Sequence, residues 1–196
     1  MPLHVPPAPA PALRSVLAAL GSMPSVRPEL PLPVHELARV HSQDGPPHAR
    51  LTGWRFLLHD TDAPGSEETV PGAAEAQLTA DGWAFGHFCG GPYLSSTRRA
   101  LRQAESYPMP YQPRLLSVPE LYMMTLWLHH DPQADPASGS PGGADLLVPL
   151  APAPPGIAPH QPHRSDTLLA LLTRRLVSPV LGHAPLAPTA PVTLAE

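Results

Sequence analysis

The sequence contains no lysine and no asparagine, and its 12 basic residues are all arginines. Codons for both missing residue types are rich in A and T, so the composition indicates a high-GC bacterial genome. Without lysine the chain cannot form a Schiff base with a substrate or supply the lysine of a phosphate-binding loop. Pyridoxal enzymes and Walker-type nucleotide hydrolases are therefore excluded.

Cysteine is nearly absent as well, because Cys89 is the single one in the chain. One cysteine cannot form an intrachain disulfide, a thiolate zinc cage or a redox pair. The first residues lack the basic region and the apolar run of a signal peptide, and the apolar stretch 121–128 is too short for a membrane helix of about 20 residues. We therefore expect a cytoplasmic protein without a membrane partner.

Charged residues make up 14% of the chain, against about a quarter in an average domain, and the formal net charge is -4. An acidic chain does not attract a phosphate backbone, so we expect no nucleic-acid partner. Arg98, Arg99 and Arg102 lie close together, but they are expected to form the exposed face of a helix.

Proline is abundant, with 31 residues concentrated in the segments 2–11, 24–33, 149–162 and 185–191. Such segments favour an extended polyproline II conformation, which cannot continue into a helix interior or a central strand. We therefore predict a Pro-rich N-terminal arm with one or two short helices (1–50) and a core domain (51–150). A Pro-rich C-terminal segment with one short helix (151–196) follows.

The core is predicted to contain an antiparallel sheet. Alternating aromatic residues favour a strand over 51–59, and Asp81-Gly82 between two alternating runs indicates a hairpin over 73–89. Pairing outward from this turn places Ala80 opposite Trp83 and gives the hairpin one apolar face.

Helical periodicity is clearest over 93–106, and it stops before Pro108. We expect this helix to pack on the apolar face of the hairpin. Short helices are also predicted over 11–21 and 165–175, and a further helical pattern runs from Pro33 to Val40.

The stretch 118–130 is compatible with either a helix or a strand. Ser117-Val118-Pro119-Glu120 fits a helix-capping box, whereas Tyr122, Thr125 and Trp127 favour a strand. We prefer the strand, because residues 145–148 could pair with it across a long polar loop.

These elements predict an α+β fold. Its antiparallel β-sheet would extend over 51–59, 73–89 and about 113–150, with one main helix packed on a face. Short flanking helices and Pro-rich arms would surround this core.

The chain has 11 histidines, which raises the question of a metal site. His59-Asp60 and His129-His130-Asp131 both follow predicted strands, so neighbouring strands would present imidazole and carboxylate ligands together. The candidate ligands are His59, Asp60, His129 and Asp131. The alternative is that these residues are solvated loop ends, since neither pair has the spacing of a known metal motif.

His87 and Cys89 suggest a thiolate–imidazole pair, but residues two apart on a strand are about 7 Å apart. That distance is too long for direct proton transfer. We therefore expect both side chains to be buried core residues beside Trp83 and Phe85.

No complete catalytic set is present, and no catalytic residue or cofactor is predicted. The sequence favours a non-catalytic protein-binding or assembly module whose partner is another protein or a second copy of the chain. Whether the chain is an enzyme stays open. The alternative is a small metal-dependent enzyme with a His/Asp site at the strand ends.

Overall fold

A computed structural model describes residues 3–38, 48–61 and 72–177. In these ranges the helices are α1 (Ala10–Ala19), α2 (Pro92–Glu105) and α3 (Ser165–Val177). The strands are β1 (Val26–Ala38), β2 (His48–Asp60), β3 (Ala73–Thr79), β4 (Gly82–Cys89), β5 (Gln112–Val118), β6 (Met123–His129), β7 (Leu146–Pro149) and β8 (His163–Arg164).

The strands form one sheet in the order β4-β3-β2-β1-β5-β6-β7-β8. Strands β1 and β5 are parallel, and the other neighbouring pairs are antiparallel. This mixed sheet with its helices confirms the α+β class, but the prediction of a purely antiparallel sheet is wrong, because β1 and β5 run parallel. The strands of this sheet come from all three segments predicted from the prolines, which are 1–50, 51–150 and 151–196.

The helix predicted from Pro33 to Val40 is wrong, because residues up to Ala38 belong to the central strand β1 and the rest lie outside the described ranges. The expectation that Pro-rich segment 24–33 avoids a central strand is also wrong. Among the described residues, β5 pairs with β1 only from Val34 to Glu36, so one side of β1 has no strand partner there before Val34. Prolines cost no ladder hydrogen bond on such a side.

The two faces of the sheet carry different helices. Helix α2 packs through Leu94 and Leu101 on the face that includes Leu115 and Leu126. On the opposite face, α1 covers the β2–β4 region and α3 covers the β5–β7 region. The residues packed against these two helices include Trp54, Phe56, Trp127 and Leu147.

The predicted hairpin is present as β3 and β4, but its predicted register is wrong. Leu78 lies opposite Trp83, and Thr79 lies opposite Gly82, so the loop consists of Ala80 and Asp81. Gly82 has a φ of 109°, a value that glycine adopts without strain, and it forms the first residue of β4.

Two further predictions about the hairpin are wrong, and the reason is a bulge between Glu75 and Ala76. It pairs Ala76 with Phe85 and Glu75 with His87, which turns Phe85 and His87 to opposite faces. His87 is therefore exposed rather than buried in the core, and Cys89 is half-buried. The apolar face of the hairpin packs against α1, and not against α2 as the sequence predicted.

Residues 112–150 form the predicted strands. Within the stretch 118–130, Val118 ends β5, Pro119–Leu121 form a single 3-10 turn, and Met123–His129 form the strand β6. This short turn accounts for the helix-capping pattern in the sequence. Strand β7 pairs with β6 across the polar loop, so the predicted long-looped hairpin is confirmed.

His35 is a fully buried polar residue in the middle of the sheet. The rings of His35 and Trp127 are in a T-shaped arrangement, with 5.2 Å between the ring centroids, and neither ring nitrogen of His35 has a hydrogen-bond partner in the described structure. Burial lowers the pKa of His35 to about 4, and electrostatic interactions with Arg114 and His129 act in the same direction. The carbonyl of Pro33 acts in the opposite direction but is not in hydrogen-bonding geometry.

The depressed pKa of His35 predicts a specific acid sensitivity. The unfolded chain binds a proton at His35 near pH 6.5, whereas the folded chain does so near pH 4, so this contribution to stability is lost as the pH falls through that window. The loss amounts to roughly 3 kcal/mol, at about 1.4 kcal/mol per pKa unit. We expect H35L to remove it, as measured by urea unfolding at a series of pH values.

The exposed residue His59 provides the control for this experiment. H59L should retain the wild-type dependence of the unfolding free energy on pH. If H35L and the wild type lose stability in parallel between pH 6.5 and 4, His35 is not buried in its neutral form.

Candidate functional site

Asp145 is a fully buried carboxylate that immediately precedes β7. It accepts hydrogen bonds from the indole Nε1 of Trp127 (2.8 Å), the backbone N–H of His130 (3.0 Å) and the backbone N–H of Gly142 (2.9 Å). These donors come from β6, from the end of β6 and from the loop before β7. One carboxylate therefore joins three parts of the chain.

Two imidazoles contact the same carboxylate. Nδ1 of His129 lies 3.0 Å from both oxygens of Asp145, and Nδ1 of His130 lies 2.8 Å from Oδ1. Burial alone would raise the pKa of Asp145, but the hydrogen bonds from His129, His130 and Gly142 hold it well below the usual range. The carboxylate is ionised, so both Nδ1 atoms act as donors.

Arg114 lies beside this cluster and is also fully buried. Its guanidinium stacks 4.7 Å above the ring of Trp127, in a cation–π arrangement. It donates to the carbonyls of Asp135 (3.0 Å) and Ser138 (2.7 Å) and to Oε1 of Gln112 (2.8 Å). Through these bonds β5 holds the loop between β6 and β7.

The predicted metal ligands are distributed over two distant strands. His59 and Asp60 end β2, whereas His129 and Asp131 lie at the end of β6. Strands β1 and β5 separate β2 from β6, and three strand spacings amount to about 14 Å. The sheet order thus does not make these strand ends neighbours, and metal binding by the four residues stays a prediction.

A different set of possible metal ligands lies close together at the end of β6. His129, His130 and Asp145 each offer a ligand atom, and these atoms lie within 4.8 Å of one another. Sequence reasoning included His129 but missed His130 and Asp145 as partners. The adjacent histidines were visible in the sequence, but no spacing rule connects them to a carboxylate 15 residues later.

Asp131 itself has a local role. Its Oδ1 accepts a hydrogen bond of 2.9 Å from the backbone N–H of Gln133, which forms an Asx turn at the start of the loop.

A second set of donors lies on the hairpin and consists of Glu75, His87 and Cys89. Glu75 is already paired, since its Oε2 accepts hydrogen bonds from Nε (3.0 Å) and Nη2 (2.7 Å) of Arg55. Burial raises the pKa of the Cys89 thiol. A protonated thiol is a poor nucleophile and a poor metal ligand, so this set is less suited to chemistry.

The outer edge of the sheet offers a different kind of site. Strand β4 lies at one end of the strand order and has β3 as its neighbour in the described sheet. Its sequence, GWAFGHFC, contains no arginine, aspartate, glutamate or proline. Ala84, His87 and Phe88 are exposed. Charged residues and prolines normally protect an edge strand from pairing with another chain, and β4 lacks both.

Comparison of the chain with protein families, curated proteins and solved structures gives no match. Within the described ranges, no helix has both the length and the apolar character needed to cross a membrane.

The Asp145 cluster predicts a large effect of a nearly isosteric substitution. In D145N one carboxylate oxygen becomes an NH₂ group that faces N–H donors, so at least one buried donor loses its acceptor. We expect the free energy of unfolding to fall by about 2–4 kcal/mol. Chemical denaturation at neutral pH measures this loss.

Asp81 provides the matched control, because it is exposed in the hairpin loop, where asparagine is equally suitable. D81N should unfold at the wild-type denaturant concentration. Equal stability of D145N and D81N would contradict the role assigned to the buried carboxylate.

Proposed function

We propose that the protein is a non-catalytic assembly module that associates with a second copy of itself through the outer edge of β4. The observation that carries this proposal is the uncharged edge strand Gly82–Cys89. An edge strand presents a row of backbone N–H and C=O groups without partners in its own sheet. A strand added from another molecule satisfies these groups.

A second copy suits this edge better than an unrelated partner. Two β4 strands related by a twofold axis pair antiparallel, and every contact then occurs twice. No like charges oppose one another in such a pair, because β4 has no formally charged residue. A charged or specific partner would favour a complementary charge on the strand, which β4 does not have.

Aromatic side chains support the same arrangement. Phe85 and Phe88 contact each other, with 4.9 Å between the ring centroids, and Phe88 remains 38% exposed. Apolar and aromatic cross-strand pairs contribute about 0.2–1 kcal/mol each in a sheet. In a continuous sheet of two copies, these rings would lie beside their symmetry mates.

The Pro-rich segments other than 24–33, which forms part of β1, are a further proposed contact surface, since polyproline II segments fit aromatic grooves. A cytoplasmic location is also part of the proposal, and it is supported by the single cysteine of the chain.

The proposal predicts a dimer that one charge disrupts. Light scattering coupled to gel filtration should give about twice the chain mass of 20.8 kDa for the wild type, and this mass should decrease on dilution. Ala84 is exposed on β4, so A84K leaves the core intact while it adds the charge that blocks edge pairing. We expect A84K to be a monomer at concentrations where the wild type is dimeric.

A second variant and a control complete the test. F88K should have the same effect as A84K, because Phe88 lies on the same strand. Ala170 is exposed on α3, and α3 covers strands β5–β7 at the other end of the sheet from β4. A170K should therefore remain dimeric. A wild-type protein that is monomeric at every concentration, or an A84K variant that dimerises normally, would refute the proposal.

A further inference from the structure

We propose that His129, His130 and Asp145 bind one divalent transition-metal ion, with Zn²⁺ as the preferred occupant. The inference is independent of pairing through β4. The ligand atoms are Nδ1 of each histidine and Oδ1 of the aspartate. Two nitrogens and one oxygen are a ligand set that zinc accepts, with a fourth position left for water.

The distances suit a small ion. Nδ1 of His129 and Nδ1 of His130 lie 3.0 and 2.8 Å from Oδ1 of Asp145, and the set as a whole spans less than 4.8 Å. Zinc binds nitrogen at about 2.0–2.1 Å and carboxylate oxygen at about 2.0–2.2 Å in a tetrahedral arrangement. Neighbouring ligands are then about 3.3 Å apart, so each of the two nitrogen–oxygen distances needs to lengthen by only a few tenths of an ångström.

The surroundings already hold the carboxylate in place. Asp145 keeps its hydrogen bonds from Trp127 Nε1 and from the backbone of Gly142 when Oδ1 turns to a metal, because both bonds are made by Oδ2. Such outer hydrogen bonds fix the orientation of metal ligands. The side chain of His130 is 52% exposed, which gives an ion a route from solvent.

Protons and charges balance in this exchange. Nδ1 of each imidazole donates its proton to Asp145 in a hydrogen bond. On metal binding that proton moves through solvent to Nε2 of the same ring, so the number of ring protons is unchanged and Nδ1 offers its lone pair. The ligand set has one negative charge, and the nearby Arg114 opposes the incoming cation, but its own hydrogen bonds are to Gln112 and the loop carbonyls.

The test is a titration of the untagged, metal-free chain with ZnCl₂ by calorimetry and with CoCl₂ by visible absorption. We expect one equivalent of zinc to bind and cobalt to give the absorption of a four-coordinate ion. Zinc should also raise the thermal midpoint, because an ion that binds the folded state stabilises it. Trp127 donates to a ligand, so its fluorescence should respond.

Three variants decide whether the ion occupies this site. His130→Gln removes one ligand from a half-exposed position, so it should fold normally, bind zinc at least about tenfold more weakly and lose the thermal shift. His129→Gln should also bind zinc more weakly and lose the thermal shift. Cys89→Ser disables the other donor set and should bind zinc like the wild type.

Two results would overturn the proposal. The first is the absence of zinc binding to the wild type when the metal is in large excess. The second is zinc binding that survives His130→Gln but is lost in Cys89→Ser, which would assign the ion to Glu75, His87 and Cys89. Equal melting of metal-free His130→Gln and wild type shows that the variant is folded and makes the comparison valid.

Discussion

The rest of the structure depends on one buried negative charge, the carboxylate of Asp145. Burying an ion is costly unless hydrogen bonds replace the water it loses. Here the indole of Trp127, two backbone N–H groups and two imidazoles replace it. The backbone carbonyl of Asp145 also accepts a hydrogen bond from the N–H of Ser165, at the start of α3. Through its side chain and its backbone carbonyl, Asp145 thus ties β6, the long loop and the start of α3 together.

Arg114 completes this buried polar layer from the neighbouring strand. Its guanidinium lies over the face of the Trp127 ring, and the indole N–H at the edge of that ring donates to Asp145. The cation and the anion thus contact the face and the edge of one aromatic ring system. His35 contacts the same ring from β1. The polar layer therefore crosses the three strands β1, β5 and β6 and reaches the residue before β7, and a change at one member affects the packing of the others.

Local signals predicted much of the fold. Helices α1 and α2 have proline in the first turn, and the Asp81-Gly82 pair marked the hairpin. Strand β1 was missed because its prolines argue against a central strand, and sequence does not show that one side of that strand lacks a neighbour. The hairpin register was wrong because the loop consists of Ala80 and Asp81 instead of Asp81 and Gly82, and a bulge between Glu75 and Ala76, which has no local sequence pattern, shifts the pairing again.

The candidate sites were harder to predict for the same reason. Two of the four predicted metal ligands, His59 and Asp60, end β2. The order of the strands separates β2 from β6, and that order is a property of the whole sheet that no local sequence pattern shows. Asp145 was visible only as the polar residue before a short strand. What makes it important is the set of donors that long-range pairing brings to it.

The two proposed surfaces lie in different parts of the sheet. Strand β4 is at one edge, whereas β6 and β7 are near the other, so a change in one surface leaves the other intact. Self-association would extend the sheet at β4, and the ion would lie where β6 and β7 meet the long loop.

The most direct measurement of the central claim is the tautomeric state of His129 and His130 by ¹⁵N NMR of the metal-free protein. A buried, ionised Asp145 that accepts from both rings requires the proton of each neutral imidazole to be on Nδ1. Nitrogen shifts typical of protonated Nδ1 and bare Nε2 at both residues are the predicted result. Protonated Nε2 and bare Nδ1 at both residues would contradict the account.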